Sequence, residues 1–341
     1  MKRSLRNLLC FALCAALCYA PAFLDGTPGA AFAAKAPAPT STPYPAPRQR
    51  LIAPADLPAR DEAGFLATPG EYAYENDEAG QWMYLSPSLQ VIINQYADAS
   101  IPLKWFETEI VMRGDERLLT AEANPKHPGK SLAYPFDLAA RNHFVLGFTD
   151  DFYAHRVLRN QRVGIVIRNG VALSTKTNRK RLHSLPNLDM LAQFADGSLK
   201  TYPCATITAD ELLALGALNV FCFGPVLLQN GEIDPLVLGR YYESKEPRQA
   251  LGMLAPNHYL LLTVQGRMKG SAGCGLTFVA NLMRQRGVVE AMNLDGGNTM
   301  ALIFRGRMLN KLATWKNKKF VRTVSSMIGA GQSESVTEGS R

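Results

Sequence analysis

From residue 144 onward, apolar residues come in runs of four to six, at 144–148, 163–167, 190–194, 220–223 and 259–264, separated by Gly, Asn and Asp. Short apolar runs bounded by turn formers predict β-strands. Helical spacing breaks the pattern twice. Leu276, Val279, Ala280 and Met283 recur at helical intervals, and Arg284, Arg286 and Gly287 close the segment, which predicts a helix over 276–286. A second helix is predicted over 210–218, with Thr208 as its N-cap and Glu211 at the capping-box position. Upstream, residues 91–93 and 105–112 read as strands of a small β region, and 124–130 as a loop. The expected fold class is therefore α/β, of the mixed α+β kind: one main domain over 130–331, a mixed sheet with flanking helices, preceded by a small β-rich region at 59–129. A domain of about 200 residues can bury its own core. The chain shows no internal repeat, and residues 332–341 are expected to form a disordered tail.

The first 58 residues follow different rules. Lys2, Arg3 and Arg6 precede an apolar run at 8–20, and Ala31-Phe32-Ala33 supplies small residues for cleavage, so 1–33 reads as a secretory signal. Pro21, Asp25 and Pro28 cut the run short of the roughly 20 apolar residues a spanning helix needs. Leu17 before Cys18 does not fit the small residue that precedes a lipidated cysteine. Residues 34–58, rich in Ala and Pro, cannot bury a core and read as an extended linker. The expected location is extracytoplasmic, with no stable membrane span once the signal is cleaved. Loss of Lys2, Arg3, Arg6 and Asp25 lowers the formal charge from +8 to +6, which favours acidic partners such as phosphate-bearing polymers. Cys204, Cys222 and Cys274 then remain, enough for one disulfide at most, of undefined pairing.

One stretch, 291–304, has the form of strand, tight turn and strand, with Asp295 delivered to Gly296 and Gly297. Glycines there admit positive φ and let backbone amides approach a ligand. Before it come Phe223-Gly224-Pro225 with Asn230-Gly231, Pro247-Arg248 with Gly252, and Gln265-Gly266-Arg267; Asn298, Thr299 and Met300 follow it. These ordered pieces, with Gly164 to Gly170 upstream, resemble the phosphodiester glycosidase family over roughly residues 130–331. Two departures stand out: Gln265 occupies a position where the family carries Asp, and Thr149 and Asp150 stand where it carries Asn-Gly.

The resemblance implies a glycosyl hydrolase acting on sugar-1-phosphodiesters, with a carbohydrate or sugar-phosphate substrate. A departing phosphate monoester is a weak base that needs charge neutralisation more than a proton. Guanidinium groups suit this, so Arg248 and Arg267 are expected to hold the phosphate. Asp295 is expected to activate water or stabilise the cationic carbon, with Asp151 as a second carboxylate. Gly224, Gly296, Gly297, Asn298, Thr299 and Thr149 are the expected substrate-binding residues. No cofactor is implied, and a divalent cation between Asp151 and Asp295 is permitted by chemistry but marked by no ligand spacing. The five histidines have no zinc-site spacing, and neither a P-loop nor a dinucleotide fingerprint occurs. No nucleic-acid partner is expected, and the oligomeric state is open. Because of the two departures, a carbohydrate or phosphate-polymer binder of the same fold is the alternative.

Overall fold

The computed structural model describes residues 54–98, 100–151, 164–176, 188–316 and 318–336. The signal segment and most of the linker lie outside these residues. Among the described residues three main sheets, of nine, five and five strands, carry the fold, and every pairing between their strands is antiparallel. The described helices are short: Pro135–Arg141, Ala209–Ala214 and Leu276–Gln285. The expected α/β domain is thus corrected to a mostly β fold with a few packed helices. Alternation within short strands cannot tell a mixed sheet from an antiparallel one, and the distinction is made by pairings far apart in sequence.

The expected boundary near residue 129 is also absent. Strand Leu103–Met112 pairs along His258–Val264, so Tyr72–Asn76, Gln81–Leu85 and Leu89–Asp98 extend the nine-stranded sheet. Leu118–Glu122 joins the edge of one five-stranded sheet beside Ser326–Gln332. The so-called tail begins as ordered chain: the Ser333 amide donates to the His143 carbonyl at 2.9 Å, and Val336 is buried. Leu57, at the end of the expected linker, packs on Leu66, Met83 and Leu85.

The largest core lies between the nine-stranded sheet and both smaller ones, joining Trp82, Phe106 and Leu261 to Phe148, Phe304, Leu191 and Phe221. Each smaller sheet covers its other face with a helix. Leu138 and Ala139 pack with Phe144 and Ile303, and Leu212 with Ile165 and Val220. Helix Ala209–Ala214 starts with the expected capping box, Thr208 and Glu211 satisfying each other's backbone amides. It ends four residues sooner than predicted, since Gly216 at φ +84° turns the chain into strand Ala217–Phe223. Helix Leu276–Gln285 packs over Arg248–Ala255, His258–Val264 and Glu290–Leu294. Among the described residues no helix is long and apolar enough to cross a membrane.

Candidate active site

Asp295 follows strand Glu290–Leu294 at the place where ends of the three sheets meet. Its amide donates to the Asp150 carbonyl at 3.2 Å, tying the nine-stranded sheet to strand Phe144–Thr149. The Cys222 amide, on the third sheet, donates to Asp151 Oδ2 at 3.3 Å. Residues 296–299 then form a turn closed by the Thr299 amide on the Gly296 carbonyl at 3.0 Å. Gly296 is required by close approach: a Cβ there would stand 2.5 Å from the Pro247 carbonyl oxygen. Gly297 takes φ +58°, and its amide donates to that same carbonyl.

Two arginines grip this turn. Arg267 Nη1 donates to Asn298 Oδ1 at 3.1 Å, while its Nε donates to Glu246 Oε2 at 2.6 Å. Arg322 Nη1 donates to Thr299 Oγ1 at 3.1 Å, and Thr299 in turn hydrogen-bonds the Asp295 carboxylate. Asp295 keeps part of its surface open to solvent but is packed by protein elsewhere. Burial pushes its carboxyl up to about 7; Arg322 pulls the other way, and the nearby Asp151 adds to the rise.

Behind Asp295 lies a buried charge cluster. Arg168 Nη2 donates to Asp150 Oδ2 at 3.2 Å and Asp151 Oδ2 at 3.0 Å, and its Nε lies 3.5 Å from Glu122 Oε1. Its Nη1 donates to the Val220 carbonyl at 2.8 Å, and the guanidinium lies over the Phe221 ring. Burial, then the Asp151 charge, raises Asp150 to about 7, against the pull of Arg168. Among the described residues no group of three or more His, Cys, Asp or Glu is arranged to hold a metal ion.

The structure brings Asp295, both glycines, Asn298 and Thr299 together on one turn, with Arg267 donating to it and Asp151 nearby. Arg248 stands at the start of the neighbouring strand, but its guanidinium turns toward the Cys274 carbonyl at 3.3 Å and the Ser244 carbonyl at 3.1 Å. Its nearest charged neighbours include Arg267 and Glu246. Thr149 is buried, and its hydroxyl is consumed by backbone: it donates to the Thr299 carbonyl at 3.0 Å and accepts from the Ala301 amide at 2.8 Å. It shapes the turn and offers no group to a ligand. Gly224 exchanges hydrogen bonds with Asn293, two residues before Asp295. Cys274 is buried, its thiol pushed up to about 12, which fits a filler in the glycine loop. Gln265 is fully buried, its Oε1 accepting from the Lys311 amide at 2.8 Å, so it braces the segment over the site.

Sequence reading missed Arg322, Arg168 and Glu246. No local pattern marks Arg322, while Arg168 lies inside the family-like piece Gly164 to Gly170 without being singled out there. Glu246 sits one residue before the Pro247-Arg248 motif, and that adjacency was the available signal.

A model of the phosphodiester glycosidase family matches residues 142–330. The SPbeta prophage-derived uncharacterized protein YomE of Bacillus subtilis (strain 168) is 28% identical over 134 residues, covering 39% of this chain and 21% of that protein. The chain thus spans about a fifth of that relative's length. The catalytic domain of zebrafish N-acetylglucosamine-1-phosphodiester alpha-N-acetylglucosaminidase, auto-inhibited by its pro-peptide, superposes with TM-score 0.58 and 16% identity over 77% of this chain and 88% of that one. At that identity the likeness establishes the fold.

Proposed function

The chain belongs to the phosphodiester glycosidase family, and from that premise we propose that it is a hydrolase cleaving sugar-1-phosphodiester bonds. The observation that carries this reading is the turn at 295–299, which holds a carboxyl group pushed up to about 7 beside two arginines. A base whose pKa lies near neutral pH is well matched to taking a proton from water. In the proposed step Asp295 removes a proton from a water whose oxygen bonds to the anomeric carbon. The bond from that carbon to the phosphate oxygen breaks, and its electron pair leaves with the phosphate monoester. Arg267, fixed by Glu246 and Asn298, neutralises the leaving phosphate, with Arg248 adding positive charge behind it. Asp151 acts at longer range, through its charge on Asp295. Gly296, Gly297, Asn298 and Thr299 shape the sugar side of the pocket, and Thr149 and Gly224 hold that turn in place.

The basic n-region, apolar run and A-x-A site of residues 1–33 support export, and the basic charge supports an exported or cell-wall polysaccharide carrying phosphodiesters as substrate. The test is turnover of a chromogenic sugar-1-phosphodiester by wild type and by Asp295→Asn. Loss of two to four orders of magnitude in kcat is expected, the usual contribution of a positioned base. Equal turnover by both proteins would refute the role of Asp295. No turnover by either, with polymer binding retained, would favour a binding protein of the same fold.

A further inference from the structure

Between Asp295 and Glu334 the chain holds no acidic residue and seven cations: Arg305, Arg307, Lys311, Lys316, Lys318, Lys319 and Arg322. Two of them are neutralised within the fold, since Arg305 pairs with Glu75 and Arg307 with Glu75 and Asp77. The four lysines are not. All are exposed, and none forms an ion pair with a described carboxylate. Lys316, Lys318 and Lys319 belong to a small hairpin in which Thr314–Trp315 pairs with Lys318–Lys319, and the neighbouring Phe320 leaves 39% of its surface exposed.

The hairpin and the residues flanking it are fastened to the candidate active site at four points. The Thr314 amide donates to the Arg267 carbonyl at 3.1 Å, and Asn298 Nδ2 donates to the Ala313 carbonyl at 2.9 Å. The Lys311 amide donates to Gln265 and the Arg322 guanidinium to Thr299. A row of like charges with no internal counter-charge raises the energy of the folded state by self-repulsion, and an anionic ligand relieves it. A single diester would engage only the turn at Asp295. Exposed, unpaired lysines on the chain segment hydrogen-bonded to that turn match a ligand whose negative charges repeat along a chain, and the exposed Phe320 ring offers an apolar face to a sugar.

We infer that Lys311, Lys316, Lys318, Lys319 and Phe320 form an extended subsite for a polyanionic glycan, a chain of sugars joined through phosphodiesters, and that the protein recognises several repeats on one side of the bond it cuts. This rests on the glycosyl phosphodiester reading above for the bond cleaved, but the binding surface is tested separately.

The experiment compares the full chain with a Lys316→Gln, Lys318→Gln, Lys319→Gln variant. Its probes are a synthetic oligomer of about six glycosyl phosphodiester units, the single-unit diester, and an uncharged glycan of equal length. The oligomer is expected to bind the variant about tenfold more weakly at low salt, with the slope of log affinity against log salt reduced by up to about 2. Turnover of the single unit should stay within twofold. Unchanged oligomer affinity or an unchanged salt slope would overturn the inference, as would equal binding of the uncharged glycan. Single-stranded DNA of matched charge should compete less well than the oligomer, because only the glycan also offers a sugar-1-phosphodiester to the turn at Asp295; competition as strong as the oligomer's would overturn the assignment to a glycan. Should neither protein turn over the single unit, the proposed reaction fails while the binding comparison still decides the subsite, with unchanged thermal unfolding reporting the variant's fold.

Discussion

Replacing Asp295 by Asn should make the protein more stable above pH 8 and leave its stability unchanged near pH 4. In the folded state burial pushes the carboxyl up to about 7, from an ordinary value of 3.8. Between those values the native state keeps a proton that the unfolded chain has released, so stability falls as pH rises from about 4 to about 7 and then stays low. A rise of about three units corresponds to about 4 kcal/mol at full burial. Asp295 retains some solvent contact, which discounts the cost to about 1–3 kcal/mol. Asn keeps an acceptor for the Thr299 hydroxyl and the Gly296 amide while removing the charge. Thermal unfolding of both proteins at pH 4.5 and pH 8.5 measures the effect. A gain of about 2–6 °C is expected at the higher pH and about a quarter of that at the lower. An Asn variant less stable than wild type at pH 8.5 would mean that Arg322 outweighs burial, and the assignment of a raised pKa would fail.

Two further outcomes follow from buried polar groups. Thr149→Val strips partners from the Thr299 carbonyl and the Ala301 amide, so urea unfolding should show a loss of about 2–4 kcal/mol, while Thr149→Ser restores most of it. Arg286→Met leaves the buried Glu107 carboxylate without the bidentate partner it meets at 2.8 and 3.0 Å, and should cost about 3–5 kcal/mol; adding Glu107→Gln should recover much of that.

What could be read from the chain beforehand was local. The strand ending at Asp295, the double glycine, the capping box at Thr208 and the helix stopped by Gly287 each lie within about ten residues, where periodicity and turn chemistry act. Sheet partners do not. Leu103–Met112 lies along His258–Val264, some 150 residues away, and nothing in either strand names the other. That pairing absorbed the supposed separate region at 59–129. Burial of acids was hidden for the same reason: Glu107 looks like a surface residue until Arg286 and the Trp105 indole are folded onto it. The site itself was half legible. Asp295, both glycines, Asn298, Thr299 and Arg267 came together, whereas the Arg248 guanidinium turns toward Cys274 and Ser244, and the meaning of Arg322 and Arg168 depends on the carboxylates that tertiary structure brings to them.

The two arginines at the turn have separable tasks, because each is tied to a different residue of it. Arg322 reaches Asp295 through Thr299 and is foremost among the groups that lower its pKa, whereas Arg267 is held by Asn298 and Glu246. A phosphate drawn to Arg267 therefore leaves Asp295 its own counter-charge, and the base can stay ionised while an anion enters. If Asp295 acts as the base, kcat/KM should rise with pH through about 7. Arg322→Gln removes the opposing charge, so that rising limb should move to higher pH, by about one unit for a partly exposed pair. Arg267→Gln should leave the limb in place and lower kcat/KM at every pH by roughly tenfold or more, the loss of a charge-assisted contact to the phosphate. Both variants shifting the limb equally would show that the two guanidiniums act as one field, and a limb that falls instead of rising would make Asp295 a proton donor.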